Sequence, residues 1–261
     1  RVYHNKNMDF SRSVHSGIGY EKMLKKSMSI RTEAYYQNLY NIPVTVDQSS
    51  FSLINMGGGF ARFFPDSLQN TGTGENYGIE LTVQKYFDKS FFFLFSGSVY
   101  NSKYRGSDGE LRNTSYNGNY VFNVLAGKEF QVNPKNIIGI GMKVTYAGGR
   151  RYGETNDSLS SLFNEVIFND NNFNEFQFRP YFRADVKISW RMNANKLTHE
   201  IGLDLVNIFN TENLLSIAYA PSLDPAVASQ PDYRPFAERN QLGFLPIFYY
   251  KIDFKLDKKK E

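Results

Sequence analysis

From Phe182 to Arg191 the chain alternates without interruption. Phe182, Ala184, Val186, Ile188 and Trp190 share one face, and Arg183, Asp185, Lys187, Ser189 and Arg191 share the other. A period of two predicts a β-strand with one apolar and one strongly polar side. The connector 192–196 is short and turn-like, and a second arm sets Ile201, Leu203 and Leu205 against Glu200, Gly202 and Asp204. This arm is expected to run on past Asn210 through Leu214, Ile217 and Tyr219. In a soluble sandwich the polar side meets bulk water. In a transmembrane β-barrel it lines a wet lumen, and the apolar side meets lipid.

The same alternation recurs along the chain. Val14, Ile18 and Tyr20 oppose Ser13, His15, Gly17 and Gly19, and Ile30, Thr32, Ala34 and Tyr36 oppose Arg31, Glu33, Tyr35 and Gln37. Further strands are predicted around Tyr77–Gln84, Phe91–Tyr104, Phe122–Phe130 and Ile138–Thr145, with a last one from Gln241 to Phe254. That makes about nine strands and no convincing helix. Their connections alternate in length: short at 25–27, 88–90, 131–135 and 192–196, long at 41–74, 105–118, 148–175 and 220–240. Short turns on one rim and long loops on the other distinguish an outer-membrane barrel, whereas a sandwich has no reason to sort its loops. Aromatics gather at strand ends, with Phe87, Phe91, Phe130, Trp190 and Phe254 by the short turns and Tyr36, Tyr40, Tyr104, Tyr146 and Phe182 toward the long loops. Two such belts are expected at the two membrane interfaces. The fold class read here is therefore all-β, an antiparallel transmembrane β-barrel, with Ala184, Val186, Ile188, Ile201, Leu203 and Leu205 facing lipid. An odd strand count does not close a single-chain bacterial barrel, so either one strand goes unread or the 261 residues are part of a larger barrel, the reading preferred here.

Composition narrows the alternatives. Mean hydropathy is −0.47, and no run approaches the roughly 18 apolar residues of a membrane helix. A barrel stays open, because lumen residues dilute hydropathy. The chain has no cysteine, which excludes disulfide scaffolds, thiolate metal sites and cysteine nucleophiles. The net charge of +4 is mild, with much of it in a Lys-rich tail, and it forms no basic stripe of a nucleic-acid module. Two units are read: barrel over 1–254, and a periplasmic tail over 255–261.

Candidate chemistry is sparse. Gly57-Gly58-Gly59 lacks the Lys-Ser/Thr of a phosphate loop, and His4, His15 and His199 are scattered. Asp170, Asn172 and Asn174 begin like a calcium loop, but Glu175 and Tyr181 occupy its glycine and bidentate positions. No catalytic residue, metal site or cofactor is expected. Binding candidates combine cations with aromatics: Arg62 and Phe63 in the first long loop, Arg150 and Arg151 after Gly148-Gly149, and Tyr233 and Arg234 in the last loop. Arg183 and Asp185 are candidates on the lumen ladder. For the ladder, the alternative is that its charges satisfy one another across a wet wall. For the loops, it is that aromatics pack them over the barrel mouth.

Several segments resemble TonB-dependent outer-membrane receptors. They are Asn70-Thr71-Gly72 with Tyr77-Gly78-Ile79-Glu80-Leu81, then Ser98-Val99-Tyr100-Asn101-Ser102, Ala147-Gly148-Gly149-Arg150-Arg151-Tyr152, Leu203-Asp204-Leu205-Val206-Asn207-Ile208-Phe209-Asn210, and Tyr250-Lys251-Ile252-Asp253-Phe254. Their order and spacing over 70–254 carry the likeness. The resemblance implies a barrel of about 22 strands, of which this chain supplies the last nine or so. It implies energised uptake of a scarce nutrient (a metal chelate, glycan or peptide), with extracellular long loops and a periplasmic C-terminus. Implied partners are outer-membrane lipid and lipopolysaccharide, and a TonB-type energy coupler acting through an N-terminal plug region absent from these residues. A passive porin-like channel and a soluble carbohydrate-binding β protein are the alternatives. The Lys-rich tail beyond Phe254 departs from relatives that stop at the aromatic.

Overall fold

Alternation of apolar and polar residues turns the chain into one meandering antiparallel sheet. The computed structural model describes residues 5–56, 67–230 and 232–254. In chain order its strands are β1 (Arg12–Lys25), β2 (Met28–Thr45), β3 (Leu68–Asp88), β4 (Phe91–Arg105), β5 (Leu111–Asn113), β6 (Tyr120–Asn133) and β7 (Asn136–Ala147). They continue with β8 (Arg151–Tyr152), β9 (Phe176–Gln177), β10 (Tyr181–Asn193), β11 (Leu197–Val206), β12 (Leu214–Tyr219), β13 (Phe236–Asn240) and β14 (Leu245–Phe254). Two short helices, α1 (Asp157–Phe163) and α2 (Pro225–Ala228), lie in the long loops.

Nine long strands pair in the order β1-β2-β3-β4-β6-β7-β10-β11-β14, and β5 adds to the end of β4. Every neighbour is the next long strand in sequence, as a barrel meander requires. Register joins the apolar sides into one surface. Ile18 lies opposite Ala34, Ala34 opposite Ile79 and Ile79 opposite Val99. Toward the other edge Ile138, Trp190, Ile201 and Tyr250 form a similar row. Ile79, Val99, Ile188, Ile201 and Phe248 all stand exposed on this side. So much exposed apolar surface is stable against lipid rather than water. Ala184, expected among the lipid-facing residues, lies on that side opposite Val144 but is buried, at the end of the wall where Phe209 packs on Phe182 and Ile208 N–H donates to the Ala184 carbonyl.

The opposite side pairs its charges. Arg31 meets Glu33, Arg183 meets Asp185 at 2.8 Å, and Lys187 meets Asp204. Arg191 bridges Glu129 and Glu200, and the Tyr249 hydroxyl donates to Glu200 at 2.7 Å. Partly solvated pairs of this kind add little stability each, but they let a wet wall carry much of its charge in pairs. β1 and β14 have a neighbour on one side only among the described residues, so the sheet is a wall segment and not a closed barrel. Among the described residues only Ile42, Val44, Tyr104 and Ala184 are apolar and buried. Three of them sit where loops pack on the long-loop rim.

Strand number and the alternation of short and long connections agree with the sequence. At the short turn between β3 and β4, Lys89 and Ser90 both take positive φ, the conformation that matches strand twist in a two-residue hairpin. Other details differ. β2 and β3 extend further than expected and leave only 46–67 between them; left-handed Asn41 sits at a bulge that lets β2 continue. The arm expected to pass Asn210 stops at Val206, and Leu214–Tyr219 pairs instead with Phe236–Asn240 in a separate hairpin. The last strand begins at Leu245, not Gln241. Tyr104 is no belt residue: it has the parity of the inner face, is fully buried, and donates its hydroxyl to the Ser50 carbonyl at 2.8 Å. Phe87 follows an irregularity after Lys85 and packs on Phe92, whose parity is also inner.

Candidate functional site

The long connections meet over one rim. Asparagine does much of the joining, since its short amide both donates and accepts and tolerates left-handed backbone. Asn174, with φ 61°, is buried; its Nδ2 donates to the Asn113 carbonyl and its Oδ1 accepts from Ser115. Ser115 N–H donates to Asn55 Oδ1, and Ser50 donates to Asp170 from its backbone and its hydroxyl. The first three long loops are thereby tied together. Asp170 and Asn174, the start of the calcium-like run, are engaged in these ties.

The segment Gly148-Gly149-Arg150-Arg151 lies at the centre. A Cβ on Gly148 would fall 1.7 Å from the Gly118 carbonyl oxygen, and one on Gly149 would fall 2.1 Å from that of Phe178. Only glycine lets the backbone thread between the second loop and the returning third loop. That threading sends the two arginines to different tasks. Arg151 donates to the Asn117 carbonyl at 3.0 Å, to Asn119 Oδ1 at 2.6 Å and to the Glu175 carbonyl at 3.4 Å. Burial draws its guanidinium below the ordinary value, and these acceptors hold it. Arg150 instead lies exposed with its guanidinium carbon 4.9 Å from the Tyr116 ring centroid. Among the described residues it has no hydrogen-bond or ion-pair partner for its side chain.

Beside this segment a cavity of about 380 Å³ opens between the third and fourth loops. Arg150, Arg151 and Arg179 line it together with Tyr152, Phe168, Phe173, Phe178 and the β12 residues Leu214, Leu215 and Ile217. Tyr152 stacks on Phe178 at 4.1 Å. Arg179 bridges to the fourth loop, meeting Glu238 at 2.6 Å, the Glu212 carbonyl, and Asn240 Oδ1 at 3.1 Å. Polar cations beside a mostly apolar lining are the usual composition of a small-molecule pocket, and the volume lies in the usual range.

The expected binding residues are thus divided. Arg150 and Arg151 line the cavity. Arg183 and Asp185 pair with each other on the inner wall, and Asp185 also accepts from the Asn207 backbone at 2.9 Å. Tyr233 accepts from the Ser222 backbone within the fourth loop, and Arg234 reaches Asp157 at the start of α1. Arg62 and Phe63 lie outside the described residues. Sequence reasoning missed Arg179, Phe168, Phe173 and Phe178, and it placed Leu214–Ile217 in a spanning strand. One signal was present: Asn207, Asn210 and Thr211 follow directly on β11. Asn207 takes φ 53°, donates to the Thr211 and Leu242 carbonyls and accepts from Thr211 N–H, which turns the chain away from the wall.

A model described as TonB dependent receptor-like, beta-barrel matches residues 5–211. No curated protein matches the sequence. Among solved structures, the ferric-catecholate import receptor Fiu of Escherichia coli K12, in its closed form, superposes with a TM-score of 0.53 at 15% identity. The match covers 79% of this chain and 24% of that one, so these residues span about a quarter of the receptor they resemble. Identity so low speaks to fold alone. The match over 5–211 is more specific, and its agreement with the two-faced, sequentially paired wall is direct: this chain belongs to the TonB-dependent receptor β-barrel family.

Proposed function

We propose that this chain is part of the wall and loop cluster of a bacterial outer-membrane receptor that takes up a scarce nutrient by TonB-type energy coupling. The observation that carries it is the family match laid on a wall with one continuous apolar face and one charge-paired face. In this reading the long-loop rim faces outward and captures substrate, since scaffolded loops usually carry recognition. The short turns and the Lys-rich 255–261 face the periplasm, and the outer face contacts lipid and lipopolysaccharide. The coupler acts through a plug region outside these residues. The residues proposed for the substrate site are Arg150 at the cavity, with Arg151 holding the loop beside it, and Arg62 and Phe63 on the first loop. Tyr233 and Arg234 act on the fourth loop, and Arg183 and Asp185 line the path inward. The nutrient is a metal chelate, a glycan or a peptide.

The test compares cells with and without the full-length receptor for compounds removed from a defined medium, each with and without a protonophore. Receptor-dependent removal that stops when the proton gradient collapses is the expected result. Removal that persists without the gradient would instead make the protein a passive channel, and no receptor-dependent removal would end the uptake reading.

A further inference from the structure

Three arginines line the 380 Å³ cavity, and their situations differ. Arg151 spends its guanidinium on two carbonyls and an amide oxygen, and Arg179 spends its own on Glu238, Glu212 and Asn240. Both are struts between loops. Arg150 alone of the three has no oxygen partner among the described residues, yet it is held in place, because the Tyr116 face attracts the cation without using its N–H donors. A planar fork of five donors is therefore left free at the edge of a pocket. The pocket behind it is lined by Phe168, Phe173, Leu215 and Ile217 together with polar residues such as Asn174 and Gln241. A cation so placed favours an anion, and the aromatic and aliphatic part of the lining favours a flat body that leaves water.

We propose that this cavity binds a small organic anion, a carboxylate or phosphate monoester on a flat apolar body, with the anionic group forked by Arg150 and the body against Phe168, Phe173 and Leu215. This rests on the uptake reading for the ligand's fate, but not for its binding. Arg150 is the specificity-determining contact; Arg151 and Arg179 position the walls.

The test is calorimetric titration of the full-length receptor in detergent with 1-naphthoate, 1-naphthyl phosphate and the neutral 1-naphthalenemethanol. At least one anion should bind saturably and about tenfold or more tighter than the alcohol, the advantage expected of one charge-assisted contact. Arg150→Gln should lower the anion to the level of the alcohol, and Leu215→Trp, which intrudes on the body's space, should weaken all three probes. Tighter binding of naphthoate assigns the site to carboxylates, and of naphthyl phosphate to phosphate esters. Equal binding of acid and alcohol, wild-type affinity in Arg150→Gln, or no saturable binding of either anion would overturn the proposal. Should Arg150→Gln fail to assemble, Leu215→Trp and the acid-to-alcohol ratio in wild type still decide it. Calorimetry needs no energy coupler, so a null result there leaves energised uptake standing. Gradient-independent uptake, conversely, leaves the binding site standing.

Discussion

Ile188 and Ser189 are adjacent on β10, at the same membrane depth, and point in opposite directions. Ile188 is 44% exposed on the apolar side, with Ile140 and Leu203 opposite it on the neighbouring strands. Ser189 faces inward between Gly139 and Gly202. Asn193, at the short-turn end, lies five residue steps beyond Ile188. At about 3.3 Å per residue and a tilt of about 45°, that places Ile188 roughly 12 Å above the turn rim, near the middle of an apolar band about 25 Å tall. An arginine there costs about 2–4 kcal/mol, or about thirty- to several-hundred-fold in the ratio of folded to unfolded receptor. Ser189→Arg adds a cation near Lys187 and Arg191, both already paired with carboxylates; in a wet lumen such crowding costs about 1 kcal/mol or less. Urea titration of the full-length receptor in lipid vesicles, read by heat-modifiable gel mobility, compares the two. Ile188→Arg should lose clearly more stability. Equal losses, or a greater loss for Ser189→Arg, would show that the faces are assigned the wrong way round or that the wall does not sit in lipid.

The loop cluster offers three further tests. Gly148→Ala forces a methyl onto the Gly118 carbonyl oxygen and should cost about 1–3 kcal/mol; limited proteolysis should nick the third loop sooner while barrel mobility on gels stays unchanged. Arg151→Gln removes a half-buried cation from its acceptors, at about 1.5–3 kcal/mol for charged hydrogen bonds, and should loosen the same loop by the same readout. At buried, left-handed Asn207, Gly keeps the backbone and loses the amide, whereas Ala loses both. Protection of the fourth loop should therefore fall in the order Asn, Gly, Ala, with the last step about 1–2 kcal/mol, and an Ala variant as protected as Gly would remove the strain argument.

What the sequence made legible was the part of the fold governed by period. Strands such as Phe182–Arg191 and Ile138–Val144 alternate because each side meets a different solvent, so the wall, the facing of its residues and the strand count could be read from local pattern. Loops obey no period. Leu214, Ile217 and Tyr219 looked like the continuation of a strand because hairpin β12–β13 has the same local preferences as a spanning strand; the bonds of Asn207 that end β11 depend on Asp185 and Leu242, distant in sequence. Tyr104 was misplaced for a similar reason: its parity was visible, but the loop that buries it through Ser50 was not. At the cavity, the pair Arg150 and Arg151 stood out by composition. Their division into a free cation and a strut depends on Tyr116, Asn117 and Asn119, which only folding brings near. Arg179 and the phenylalanines of the third loop carried no motif at all.

The proposed function depends on the wall lying in the outer membrane with the long-loop rim outward. These 261 residues contain no cysteine, so, once any cysteine elsewhere in the full-length receptor is replaced, single cysteines placed here can report on that directly. Ser158 lies exposed on α1 in the third long loop, and Lys135 lies exposed at the short turn between β6 and β7. On intact cells a membrane-impermeant maleimide should label Ser158→Cys and leave Lys135→Cys untouched until the outer membrane is permeabilised. Labelling of Lys135→Cys on intact cells, with Ser158→Cys protected, would contradict the orientation and with it the assignment of the loop cluster as the site of capture.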